Sequence, residues 1–181
     1  EYNSIGKQSA TIDKLGRRTE CEYDVFGNLV QVIYPDGTTE EYTYDKEGRK
    51  LTSTDREGNT THYLYDKLGR LIKTTYPDGT FKETEYDANG QITSETDELG
   101  NVTKYDFDEL GRNTSVTDAL GNTTLYEYDK NGNVIKMTDA KGNSITYEYD
   151  SRGKCIKTVF EDGYYILAEY NKNGLKVSET D

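Results

Sequence analysis

Glycine stands only on a grid. The 17 glycines begin at positions 6, 16, 27, 37, 48 and 58 and end at 174, and the steps between them alternate 10 and 11 without exception. A fixed 21-residue period marks a repeat architecture. Two half-units alternate within it. The A half carries glycines such as Gly48, in Tyr44-Asp45-Lys46-Glu47-Gly48-Arg49. The B half carries glycines such as Gly58, in Thr54-Asp55-Arg56-Glu57-Gly58-Asn59.

The grid has a turn chemistry. An aspartate three residues before glycine can accept a hydrogen bond from the backbone two residues on. Glycine at the fourth position can enter the left-handed region and close a three-residue hairpin loop with a bulge. The A turns predicted this way are Asp24/Gly27, Asp45/Gly48, Asp66/Gly69, Asp87/Gly90, Asp108/Gly111, Asp129/Gly132 and Asp150/Gly153, with Asn3 and Asn171 substituting in two more. B turns use Asp13, Asp55, Asp97, Asp118 and Asp139 in the same way. Tyr34-Pro35-Asp36-Gly37 and Tyr76-Pro77-Asp78-Gly79 place proline at the second turn position, where its fixed φ suits type I. Phe160-Glu161-Asp162-Gly163 follows that scheme without proline.

About seven residues rich in Thr, Tyr, Val and Ile separate successive turns, which is the length and composition of a strand. No crossover helix fits in such a connection, so neighbouring strands run antiparallel. The expected fold is all-β: a continuous antiparallel meander of about 16 strands, extending roughly 75 Å at ~4.8 Å per strand, twisted and coiled. A turns fall on one edge and B turns on the other. Alternation puts Tyr42 with Tyr44, Tyr63 with Tyr65, Tyr126 with Tyr128 and Tyr147 with Tyr149 on one face. Leu51, Ile72, Ile135, Ile156 and Val177 share one phase after the A turn; Leu29, Leu71, Ile92 and Val134 hold the neighbouring one. The tyrosine ladders are expected to be the sheet's thin core, with ligand stacking as their lesser candidate role.

Composition taken alone points towards disorder. Leu, Ile, Val and Phe together make up under a fifth of the chain, and the net charge is −12. The glycine grid and the 17 tyrosines overrule that reading, because tyrosine buries a large ring while its hydroxyl stays hydrogen-bonded. The acidic balance argues against nucleic acid and against an anionic membrane surface. No apolar run approaches spanning length, and no membrane insertion is expected. The chain opens inside a repeat, at Glu1-Tyr2-Asn3, without a signal peptide, as expected of a segment of a longer array. The whole of 1–181 is expected to form one tandem-repeat domain of about eight units. Cys21 and Cys155 lie about six units apart in different phases, so they read as small apolar fillers rather than a disulfide.

Catalytic signatures do not appear. The single histidine, His62, adjoins the Tyr63 ladder and falls on the opposite face. There is no Gly-x-Ser-x-Gly, His-Glu-x-x-His or phosphate loop. The aspartates that could suggest a glycosidase or a calcium site are one per turn, which turn chemistry already accounts for. EF-hand and glycine-rich calcium repeats are both missing. Neither metal nor cofactor is expected, and the chain reads as a non-enzyme. Asn59, Asn101, Asn113 and Asn122 open Asn-x-Ser/Thr sequons that follow from abundant Thr beside turn asparagines.

The Tyr42-Thr43-Tyr44-Asp45-Lys46-Glu47-Gly48-Arg49 and Tyr63-Leu64-Tyr65-Asp66-Lys67-Leu68-Gly69-Arg70 segments, repeated at Tyr126 to Asn133 and Tyr147 to Gly153, resemble the Rhs or YD-repeat family across essentially the whole chain. That family includes bacterial polymorphic toxins, toxin-complex C components, wall-associated proteins and teneurins. The resemblance implies an open segment of a hollow β-shell that can enclose a C-terminal toxin polypeptide. It also implies a secreted or cell-surface protein, most readily a bacterial one. The family's Pro-x-x-x-x-Asp-Pro-x-Gly type region, linked to aspartyl self-cleavage, has no counterpart at Pro35 or Pro77, and residues 1–181 are expected to be repeats alone, without the toxin domain. Phe107 replaces one tyrosine, and Cys21, Thr84 and Ala168 replace the first aromatic of their motifs. The implied partners are the other repeats and an enclosed toxin domain. The alternative is an extracellular adhesion or carbohydrate-binding array, with glycans or a cell-surface receptor as partners.

Overall fold

The computed structural model describes residues 1–181. It holds 17 strands and no helix, one strand more than the spacing predicts. Contacts divide the chain into two compact units, residues 1–84 with 96–100, and residues 85–95 with 101–181.

The first unit contains β1 (Ala10–Ile12), β2 (Arg18–Tyr23), β3 (Leu29–Ile33), β4 (Thr39–Tyr44), β5 (Lys50–Thr54), β6 (Thr60–Tyr65), β7 (Leu71–Thr75) and most of β8 (Phe81–Tyr86). Each strand pairs antiparallel with the next along the chain. The second unit holds most of β9 (Ile92–Thr96), followed by β10 (Val102–Phe107), β11 (Asn113–Thr117), β12 (Thr123–Tyr128), β13 (Val134–Thr138), β14 (Ser144–Tyr149), β15 (Cys155–Val159), β16 (Tyr165–Tyr170) and β17 (Lys176–Thr180). From β10 onward the pairing again steps from each strand to its successor.

The alternating 10 and 11 of the glycine grid has a structural cause. From β2 onward, strands that enter an A turn have six residues and strands that leave one have five. Across β4 and β5, Tyr42 faces Ser53 and Thr43 faces Thr52, but Tyr44 faces Lys50. Leu51 is therefore skipped, an extra residue that forms a second bulge beyond the one at the turn glycine. The same register shift occurs in the A hairpins β2/β3, β6/β7, β10/β11, β12/β13, β14/β15 and β16/β17. The phase shared by Leu51, Ile72, Ile135, Ile156 and Val177 is the phase of the skipped residue. B hairpins such as β5/β6 run without a shift.

The two faces are unequal. Along β4 the exposed positions are Glu41 and Thr43, while Tyr42 and Tyr44 are half-buried, and β6, β12 and β14 repeat this alternation. In the second unit Tyr126 faces Met137, and Met137 faces Ile145, so one face gathers Tyr, Met and Ile while Glu127 and Lys136 lie on the other. Ala10 is the only fully buried apolar residue, and no large side chain is completely enclosed. The thin core expected from sequence is thus a half-covered aromatic face rather than a closed volume.

Candidate functional site

The A edge is where the repeat's distinctive residues meet. At Asp45 the turn closes through Gly48 N–H donating to Asp45 O at 3.0 Å and Asp45 N–H donating to Arg49 O at 2.9 Å. Asp45 Oδ1 accepts from Glu47 N at 3.0 Å and from Arg49 N at 2.9 Å. One carboxylate oxygen therefore satisfies two backbone donors, one more than the two-residue turn rule supplies. Asp24, Asp66, Asp87, Asp108, Asp129 and Asp150 accept the same pair of bonds.

The turn glycines lie between φ +73° and +90°, and no other residue type has positive φ. Gly153 stands at the lower limit, at +73°, while Gly27, Gly90 and Gly132 stand at the upper one, at +87°, +90° and +89°. The left-handed region expected from sequence is therefore entered well beyond its ideal value of about +57°. The reason is geometric: the glycine N–H must return to the aspartate carbonyl while the chain swings back into the next strand. That bond measures 3.0 Å at Gly27, 3.2 Å at Gly90 and 3.1 Å at Gly132. Gly27 is half-buried, and Gly90 and Gly132 are exposed at the edge. These glycines shape turns and present no ligand group of their own.

The residue after glycine links neighbouring turns. Arg49 Nε donates to the second oxygen of Asp45 at 2.6 Å, and its guanidinium lies 5.3 Å from the ring centroid of Tyr65, the tyrosine of the next A turn. Arg112 pairs with Asp108, sits 4.7 Å from the Tyr128 ring and donates to Asp129 O at 2.8 Å. Gln91 reaches Gly111 O at 3.0 Å by the same route. At these positions an A turn is tied to the next, two strands away, by a side chain, and both arginines also brace their own aspartates.

The tyrosine hydroxyls complete the arrangement. The β11–β12 ladder ends at Ser115 opposite Leu125, which leaves the carbonyl of Asn113 beyond it. Tyr128 Oη donates to that carbonyl at 2.6 Å. Tyr149 does the same for Val134 O at 2.8 Å, and Tyr23 for Gln8 O at 2.9 Å. The extra residue interrupts the ladder, and a phenol fifteen residues downstream caps the exposed acceptor. Valine or leucine would cover the face but could not supply this donor.

Electrostatics follow the hydrogen bonds. The Arg112 guanidinium, then the Arg112 backbone N–H, hold the Asp108 carboxyl below its ordinary value of 3.8. Asn133 does the same for Asp129 through its side-chain amide and then its backbone. Burial pushes the Tyr44 and Tyr149 hydroxyls up. Tyr42 is pushed up further by its 2.6 Å hydrogen bond to Glu40, reinforced by burial.

The structure gathers the sequence-predicted aspartates and glycines at turns and places Tyr42/Tyr44, Tyr63/Tyr65, Tyr126/Tyr128 and Tyr147/Tyr149 on single faces. It does not gather the carboxylates into a metal-binding group of three or more. His62 is exposed, paired in register with Thr52 and Thr75 on the face opposite Tyr63. Both cysteines are free thiols. Sequence reasoning missed Arg49, Arg112 and Gln91 as links between turns. The signal was present in the recurrent long polar side chain directly after the A glycine.

Comparison with known proteins gives a consistent answer. The RHS Repeat family model matches residues 2–39, 41–80, 86–123, 108–144 and 128–165. No curated protein matches the chain in sequence. Among solved structures, a Photorhabdus luminescens Tc holotoxin pore aligns with 90% of the chain at 19% identity and a TM-score of 0.63. The TcdB2–TccC3 crystal structure covers 99% at 19% identity and a TM-score of 0.60. A TcdB2–TccC3–TEV structure covers 98% at 20% identity and a TM-score of 0.59. The chain spans 11–13% of the length of those proteins, and at such identity the likeness shows the fold. With family matches over well more than half its length, the chain belongs to the RHS repeat family.

Proposed function

We propose that this chain is a non-enzymatic segment of a β-shell that encloses a C-terminal effector polypeptide in a secreted parent protein. The observation that carries the reading is the A-edge linkage. Arg49 on Tyr65, Arg112 on Tyr128 and Tyr149 on Val134 each join one repeat to its neighbour, a kind of linkage that lets a single-layer sheet persist over many repeats. The unequal faces support it: a half-covered aromatic face on one side and a Thr/Glu/Lys face on the other give a wall two different surfaces. The Tc structures share this fold over nearly the whole chain. The partners are the adjoining repeats and the enclosed polypeptide.

The test uses the full parent protein. Limited proteolysis should leave the segment after the repeats uncut while the repeats are folded. The same segment, expressed alone, should be degraded quickly. Equal cleavage in the two contexts would overturn the proposal, as would a parent in which the repeats run directly into a wall anchor.

A further inference from the structure

Of the eight B turns, five open with aspartate and three with an aromatic residue: Tyr34, Tyr76 and Phe160. A cleft lies at each of the three aromatic turns, with volumes of about 570, 650 and 630 Å³. The first two are built from equivalent residues in the first unit, and they differ in one respect.

The Tyr34 cleft is occupied by the chain's own cation. Arg56, 22 residues downstream in the next B turn, stands 4.2 Å from the Tyr34 ring centroid. Its Nε donates to Thr38 Oγ1 at 2.7 Å, and its Nη2 pairs with Asp36 Oδ2. Ring, hydroxyl and carboxylate together grip a guanidinium. On the far side Arg17 pairs with Asp13 at 2.7 Å, so two cations balance the two carboxylates that line this cleft.

At the Tyr76 cleft the same three groups recur as Tyr76, Thr80 and Asp78, but both cations are replaced. Glu98 stands 22 residues after Tyr76, where Arg56 stands relative to Tyr34, and Asn59 takes the place of Arg17. Asp78 Oδ1 is occupied by Thr80 N at 2.9 Å and Thr80 Oγ1 at 2.7 Å, and Oδ2 accepts neither of these bonds. Asp55, Asp78 and Glu98 line the cleft without a lining cation. Lys82 at the border is paired with Glu98 at 2.8 Å, and this pair lies against the Tyr76 hydroxyl, at the rim of the ring rather than over its face.

We propose that the Tyr76 cleft is a docking site for an arginine side chain of a partner polypeptide. An aromatic face attracts a guanidinium electrostatically, and a carboxylate beside it fixes the cation by charge-assisted hydrogen bonds. The chain demonstrates this recognition one B turn pair earlier, where Arg56 is the occupant. The exchange of Arg56 for Glu98 removes the internal occupant and leaves an acidic, half-aromatic cleft of complementary charge.

The experiment titrates the 181-residue chain with N-acetyl-arginine amide and, separately, with its neutral isostere N-acetyl-citrulline amide, following the tyrosine ring resonances by NMR. The arginine probe should give a saturable shift at Tyr76 in the millimolar range and none at Tyr34. Citrulline should move neither ring. Glu98→Arg should abolish the Tyr76 response, because the new side chain occupies the cleft. Arg56→Ala should open the first cleft and create a response at Tyr34, and it carries the test if Glu98→Arg fails to fold. A silent Tyr76, an equal response to citrulline, or an unchanged Tyr34 in Arg56→Ala would each overturn the proposal.

Discussion

Replacing a turn glycine separates two contributions that the structure keeps at different sites. Gly58 has φ +85°, and an added Cβ would meet nothing within 4 Å. Gly58→Ala therefore measures backbone strain alone. The left-handed region costs an L-residue roughly 1–2 kcal/mol, offset by about 0.4–1 kcal/mol of lost freedom in the unfolded chain. The net expectation is about 1 kcal/mol of destabilisation. Asparagine tolerates this region, so Gly58→Asn should cost less. Gly69 differs: its φ is +82°, but an added Cβ would lie 3.3 Å from Arg49 Nη1 and 3.8 Å from Arg49 Cδ. Gly69→Ala must also push aside, by a few tenths of an ångström, the arginine that pairs with Asp45 and stacks on Tyr65. Disturbing a partly exposed ion pair and a cation–π contact adds up to about 1 kcal/mol. Urea denaturation gives the total, and amide hydrogen exchange at β6 and β7 localises it, because repeat arrays open in sections. Gly58→Ala equal to wild type, or Gly69→Ala no worse than Gly58→Ala, would refute the turn-and-link reasoning.

Three other outcomes follow from the same geometry. Tyr128→Phe removes the donor to Asn113 O and should cost about 1–2 kcal/mol in urea, since it leaves a carbonyl at the ladder end without its cap; no change would mean water replaces the phenol freely. Asn113 carries a buried Oδ1 with no partner, at a position that Leu29, Leu71, Ile92 and Val134 fill elsewhere, so Asn113→Val should raise stability by about 1 kcal/mol, read as a higher urea midpoint. Acid should destabilise the fold: Asp108 and Asp129 have folded values below the ordinary 3.8, so their contribution is full above that value and is lost as pH falls through the lower folded values. A pH titration of thermal stability that stayed flat from neutrality to about pH 2 would contradict this.

Much of the fold was legible because glycine and aspartate have few alternative reasons to recur. Gly48 and Asp45 specify a turn wherever they fall at that spacing, and their hydrogen bonds are local. Period-two alternation then fixed the face shared by Tyr42 and Tyr44. The second bulge was not legible in that way. Leu51 looks like an ordinary strand residue, and its removal from the pairing depends on the register with Thr43 and Tyr44, which lie across the turn. Long-range pairing also hid the Tyr34 and Tyr76 clefts, since Arg56 and Glu98 reach their clefts from the following B turn. The 10–11 step was the one local trace of the bulge: a strict meander with identical strands would keep one spacing.

That extra residue explains why the repeat is built on tyrosine. The bulge of the A hairpins named above increases local twist and bends the strand, at the cost of a carbonyl left outside the ladder. An apolar side chain could cover the face but would leave that acceptor unsatisfied, a penalty of about 1–3 kcal/mol wherever water is excluded. Serine or threonine could donate but could not span two strands. Tyrosine does both: Tyr149 lies half-buried on the face and donates to Val134 O. The arginine after glycine then packs on the next ring in line, as Arg112 does on Tyr128. Tyr, Asp, Gly and Arg therefore act as one unit, and a substitution at any of them should weaken the neighbouring repeat as well as its own. Hydrogen exchange on Arg112→Met tests this directly. Protection should fall in β12, which carries Tyr128, as well as in β11; a loss confined to β11 would show that the repeats are stacked without being coupled.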